Sequence, residues 1–263
     1  MKNAMPKALY IAAALVILFA TGALAQSTVQ MTITSGTAPN GTYGVMGGVY
    51  TSPYTGNING GASIPIICDD FYDDVYPPQT WTALATNLAQ LGAATTNLVY
   101  FDQNNVAQQQ IEYMTAAVLA EAVLSGTLGT TSVGTTETVK GELSFALWGV
   151  FDPNMLLTNS ANLTAAQLSA ANGYVASALA TVTNGISSNG LDAYLSTFSN
   201  VTIYSATTNG TTPMAAVGTK RPQEFLVVSM PEPAESVLLI VDLLAVVSLV
   251  CFVRRKQRGA SLG

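Results

Sequence analysis

The sequence predicts an α+β domain, a mostly antiparallel sheet from N- and C-terminal strands packed with about three central helices, with an apolar segment at each end of the chain. Three observations carry that expectation. Apolar residues alternate between Ser27 and about Tyr54, recur at three- and four-residue spacing between Val106 and Val182, and alternate again after Gly190.

Taken in order, the chain opens with Lys2 and Lys7, an apolar run from Ala8 to Ala20, and Thr21-Gly22-Ala23-Leu24-Ala25 before Gln26. A 13-residue apolar run is short for a bilayer, and the small residues Ala23 and Ala25 suit signal-peptidase cleavage. Residues 1–25 therefore read as a signal peptide, with an uncleaved anchor as the alternative.

From Ser27 to Tyr54 the apolar positions Val29, Met31, Ile33, Val45 and Val49 are interrupted by Gly36, Gly41, Gly44 and Gly47-Gly48, which predicts two or three strands joined by turns or bulges. Ser63 to Cys68 reads as another strand, with Pro65 marking an edge or a strand start. Ile111, Met114, Val118, Leu119 and Val123 predict a helix over 106–124 with one buried face, closed by Gly126. A second helix is expected from Thr138 to Phe151. A third is expected from Thr164 to Val182, where Thr164 and Gln167 have capping-box spacing. Val201–Tyr204 and Glu224–Val228 return to β character, and the first and last strands are expected to share one sheet.

Beyond that body come Pro231-Glu232-Pro233, an apolar run from Ser236 to Val253, and the basic residues Arg254, Arg255, Lys256 and Arg258. Eighteen residues at about 1.5 Å each cover about 27 Å, enough for a transmembrane helix. The basic cluster belongs in the cytoplasm, so the body between the segments, residues 26–229, is expected outside. Asp242 lies about two turns from the outer end of that helix, within reach of the interface. The ordered set of Pro-Glu-Pro, one apolar helix and an Arg-rich end resembles the PEP-CTERM sorting domain of bacteria. The resemblance covers residues 230–258 and implies processing near Pro231–Pro233 by an exosortase-like membrane enzyme. A plain single-pass anchor is the alternative reading of the same helix.

Composition narrows the chemistry. Between residues 26 and 230 three basic residues, Lys140, Lys220 and Arg221, face twelve acidic ones, a net of −9, so nucleic acid and anionic lipid are poor partners. The absence of histidine removes the commonest general base near neutral pH, the Ser-His and Cys-His pairs and every His-containing zinc site. Of the two cysteines, Cys251 lies in the C-terminal apolar run and Cys68 in the body, so no disulfide is expected within the body.

Several constellations remain. Asp69, Asp70, Asp73 and Asp74 concentrate four carboxylates in six residues, a composition that hard cations such as calcium use, although EF-hand spacing is lacking. Tyr54-Thr55-Gly56, Ile67-Cys68-Asp69-Asp70-Phe71, Trp81-Thr82-Ala83 and Gly141-Glu142-Leu143-Ser144-Phe145-Ala146-Leu147-Trp148 together resemble a block found in exported PEP-CTERM proteins of unassigned function. More distantly, their order is similar to thioester domains of bacterial adhesins, in which a cysteine bonds to a glutamine. Ser144 stands where that glutamine would be, and a serine supplies no acyl group, so a thioester is not expected. Cys68 then reads as a small buried residue and Trp148 as a core anchor. Lys140 and Ser144 share a helix face at the spacing of a Ser-Lys dyad. Tyr43, Tyr50, Tyr54, Tyr72, Tyr76 and Trp81 could stack on sugars or rim a core.

These features lead to the expectation of a non-enzymatic envelope or extracellular-matrix protein without a cofactor, whose body contacts polysaccharide or protein. Its partners would be signal peptidase, the processing enzyme and, before processing, the membrane. The alternative is a secreted glycosidase-like hydrolase working through the Asp69–Asp74 carboxylates.

Overall fold

The computed structural model describes residues 27–35, 44–71, 77–92, 95, 98–99, 103–158, 163–207 and 222–229. The chain divides into a unit of Met1–Val228 and a second of Ser229–Gly263. The expected signal peptide with Ala23 and Ala25, the motif Pro231, Glu232 and Pro233, the apolar run 236–253, and Arg254, Arg255, Lys256 and Arg258 all lie outside the described residues. Among the described residues no helix is long and apolar enough to cross a membrane.

The first unit is mixed α and β. Its strands are β1 (Ser27–Ser35), β2 (Gly44–Met46), β3 (Val49–Thr51), β4 (Tyr54–Ile58), β5 (Ile64–Cys68), β6 (Gln79–Asn87), β7 (Thr127–Leu128), β8 (Thr131–Ser132), β9 (Val201–Ala206) and β10 (Phe225–Val228). Six of them close an antiparallel barrel in the order β1-β4-β5-β10-β9-β6, so the first and last strands do share one sheet. β2–β3 and β7–β8 form separate two-stranded ribbons.

Strand alternation divides the barrel residues between its interior and its outer face. Tyr54, Trp81 and Phe225 come from three strands that do not neighbour one another, yet their rings meet at 6.0 and 5.8 Å, so they fill the interior. Leu226, paired with Ile67 and Ile203, lies on the opposite face of β10. Pro65 pairs with Thr55 of β4 but lies beyond the residues of β5 that pair with β10. The strand start is thus where its missing N–H is tolerated.

Helices α1 (Val106–Ser125), α2 (Glu137–Phe151) and α4 (Ala165–Asn189) pack pairwise, and α1 also lies against β10. Short helices α3 (Pro153–Thr158) and α5 (Leu191–Leu195) complete this layer. Gly126 takes the left-handed conformation (φ 71°) and returns its N–H to Ala122, which ends α1 where sequence placed its stop. Thr164 accepts from Gln167 N at 3.2 Å and the Gln167 side chain accepts from Thr164 N at 2.9 Å, so the capping box at α4 is formed.

Two expectations are corrected and one strand is added. Helix α1 has more than one buried face: every residue from Tyr113 to Ala120 is buried, because the helix lies between the barrel and two neighbours and its alanines permit close approach. Helix α4 continues seven residues past Val182, with Ile186 half-buried and Gly185 against Tyr194 of α5. Strand β6 was not anticipated from the residue pattern. Its inward positions Trp81 and Ala83 are fully packed, but alanine carries little apolar signal.

Candidate functional site

The described residues from the sequence constellations converge where β5 ends. Ser52 Oγ accepts from Cys68 N at 2.9 Å, and Ser144 Oγ accepts from Ser52 N at 3.0 Å. Ser144 in turn donates to the Lys140 carbonyl at 2.9 Å, one turn back on α2. Trp148 Nε1 donates to the Cys68 carbonyl at 3.1 Å, and its ring lies 5.2 Å from that of Phe71 and 5.1 Å from that of Phe145. Strand β5 and helix α2 are thus sewn together through Cys68, Ser52, Ser144 and Trp148, all buried.

Within this seam Cys68 is a free thiol that donates to the Asp70 carbonyl at 3.1 Å. Burial first, then the charges of Asp70 and Asp69, pushes the thiol well above its ordinary pKa, and the hydrogen bonds to Asp70 and Trp148 offset this only in part. A thiol so placed is a poor nucleophile. No Ser-Lys dyad forms: Ser144 meets the Lys140 backbone, while the Lys140 ammonium pairs with Glu137 at 3.1 Å.

Beside the seam lies a cluster of buried carboxyls. Asp69 and Asp70 immediately follow β5, Glu224 immediately precedes β10, and the Asp69 N–H donates to the Glu224 carbonyl at 3.4 Å. Glu224 is 0 % exposed and its side chain accepts from Tyr113 Oη of α1 at 2.7 Å, from Val99 N at 2.9 Å and from Ser205 Oγ of β9. Asp69 is also 0 % exposed, and neither of its carboxyl oxygens meets a hydrogen-bond donor as an ordinary carboxylate would require. Burial first, then the charges of Glu224 and Asp70, drives Asp69 well above the usual carboxylate range. Burial also raises Glu224, opposed by the donors Ser205, Tyr113, Val99 and Asp69. Gln223 Nε2 donates to the Asp70 carbonyl at 2.9 Å, leaving its own buried Oε1 without a donor.

This arrangement bears on the carboxylate chemistry expected from sequence. Asp69 and Asp70 are 0 and 1 % exposed, so they are neither splayed into solvent nor presented in a substrate cleft. An acid or base that attacks a glycoside must touch it, which these two do not allow. Asp73 and Asp74 lie outside the described residues. Among the described residues no three His, Cys, Asp or Glu side chains are placed to hold a metal ion.

The aromatic set is also divided. Tyr54 and Trp81 are core residues at 3 and 4 % exposure, whereas Tyr50 is 54 % exposed beside Val45, its cross-strand partner at 62 %. Tyr43, Tyr72 and Tyr76 lie outside the described residues. Residue patterns missed Glu224 as a member of the cluster, reading it only as the start of a strand. Its signal was a carboxylate placed directly before the wholly apolar Phe225-Leu226-Val227-Val228.

No family model, curated protein or solved structure matches this chain.

Proposed function

We propose that this chain is a non-enzymatic protein of the cell envelope or extracellular matrix, exported through residues 1–25 and sorted through a PEP-CTERM-type segment at 230–258. The observation that carries this reading is the ordered ending of Pro231-Glu232-Pro233, an 18-residue apolar run and four basic residues, joined to an independent N-terminal export signature. Both ends demand the same orientation, with the body outside. In this reading the run 236–253 spans the inner membrane until an exosortase-like enzyme processes the chain near Pro231–Pro233.

The body mediates contact with extracellular polysaccharide or a neighbouring protein. Support comes from how its reactive groups are used: Cys68 and Ser144 are buried and hydrogen-bonded, and Asp69 and Asp70 are buried away from solvent. Apolar side chains meanwhile reach the surface at the Val45–Tyr50 pair and at Leu179, which borders a groove of about 230 Å³ with Ile111, Val150 and Val175.

The deciding experiment is the intact mass of the mature protein from envelope and extracellular fractions of its native host. A species running from Gln26 to the Pro231–Pro233 region is expected. One that begins at Gln26 yet retains Arg254 to Gly263 would make the chain a permanent single-pass anchor and overturn the sorting reading.

A further inference from the structure

We infer that Asp69 and Glu224 hold one proton between them, Asp69 as donor and Glu224 as acceptor, and that this proton clasps β5, β10 and α1 together in acid and neutral solution and releases them as it is lost. The two residues sit side by side at the ends of paired strands, joined by the Asp69 N–H to the Glu224 carbonyl. Glu224 is supplied with donors from α1, β9 and the backbone at Val99, whereas no neighbouring element supplies a donor to the Asp69 oxygens. Two buried carboxylates in contact need a compensating positive charge.

Among the described residues only a proton can supply it. Lys140 is the sole cationic side chain among the described residues, and its ammonium is engaged with Glu137. Among those residues, too, no set of acidic side chains is arranged to bind a metal. Among the described residues the remaining titratable groups facing the pair are Asp70 and Cys68 at the end of β5 and the Tyr113 phenol on α1. None brings positive charge, and Asp70 adds negative charge. A proton on Asp69 removes one of the two charges, converts an unpartnered oxygen into a donor and gives Glu224 a fourth hydrogen bond.

The sign of the resulting pH dependence follows. The unfolded chain releases this proton in the ordinary carboxylate range, while the folded chain keeps it to higher pH. Stability is therefore complete below that range and declines as pH rises through the folded-state value, with the folded-to-unfolded ratio falling about tenfold per pH unit for one proton.

The test is denaturant unfolding of the full-length chain in mild detergent across a pH series, alongside its infrared spectrum at neutral pH, for wild type and Asp69→Asn. The asparagine still donates to Glu224 but does not titrate. Wild type should lose stability at about tenfold per pH unit in its window, and Asp69→Asn should lack that slope and overtake wild type at the alkaline end. A protonated-carboxyl stretch should be present in wild type and weaker by one group in the variant. Glu224→Gln keeps the Asp69 proton but removes the neighbouring charge, so its slope should persist over a window that ends at lower pH. A slope retained in Asp69→Asn overturns the clasp, and absence of the protonated-carboxyl band from wild type does so outright.

Discussion

Tyr113→Phe removes one oxygen from the centre of the molecule and little else. The phenol is fully buried, its hydroxyl donates to Glu224 Oε1 at 2.7 Å, and its ring packs 4.9 Å from that of Phe151, a contact phenylalanine retains. The loss is thus one hydrogen bond to a buried carboxylate, worth about 1.5–3 kcal/mol when the acceptor is charged. For a chain of this size that corresponds to a fall of roughly 3–12 °C in melting temperature. The effect should itself depend on pH, because the Tyr113 bond favours the ionised form of Glu224. In acid, where Glu224 is protonated, the bond is between neutral groups and the cost shrinks to about 0.5–1.5 kcal/mol. Urea unfolding followed by circular dichroism at an acidic and a neutral pH measures both values. A neutral-pH loss under about 0.5 kcal/mol, or a larger loss in acid than at neutrality, would refute the role assigned to Glu224.

Other expectations are simpler to read. Cys68 should resist alkylation in the native state and take up one equivalent on denaturation, since burial both shields it and suppresses its thiolate; rapid native labelling seen by mass spectrometry would contradict the seam geometry. In Gly56→Ala the new Cβ would land on the Thr32 carbonyl and the Ile66 side chain, so a loss of about 1–3 kcal/mol or more in a urea titration is expected from strain between β1 and β4. Thr164→Ala opens the capping box of α4 and should cost about 1 kcal/mol by the same measurement. Replacing Val45 and Tyr50 together by serine should weaken co-sedimentation with host envelope polymer while leaving the melting temperature within about 1 °C, because both side chains are largely exposed.

Much of the fold could be read from residue spacing, and the failures share a cause. Helix α1 was visible because Ile111, Met114, Val118 and Val123 recur at helical spacing, but its complete burial depends on alanines that look neutral in sequence. Alanine hid β6 in the same way, and threonines on its outer positions weakened the contrast further. Closure of the sheet into a barrel was not legible, because it depends on β10 entering between β5 and β9 rather than on a local pattern. At the site, Cys68, Asp69, Asp70, Ser144 and Trp148 drew attention through their chemistry. Their grouping at the end of β5 agrees with that attention, but Ser144 bonds the Lys140 backbone rather than forming a dyad, and Asp69 and Asp70 are buried, while Asp73 and Asp74 lie outside the described residues. Glu224 escaped because its partner lies far away along the chain, where no spacing rule reaches.

That long reach has a consequence for how the molecule comes into being. The closing stave of the barrel is nearly the last part of the first unit to be synthesised, and Gln223 binds Asp70 across 153 residues. Until that stave arrives, β5 and β9 each lack one neighbour and the ring stays open. A polypeptide threaded end first through a narrow translocation pore must remain unfolded until it has passed. Under the export proposed above, postponing ring closure to the final strand gives the chain a built-in delay, during which the two open edges are the surfaces for a chaperone to guard.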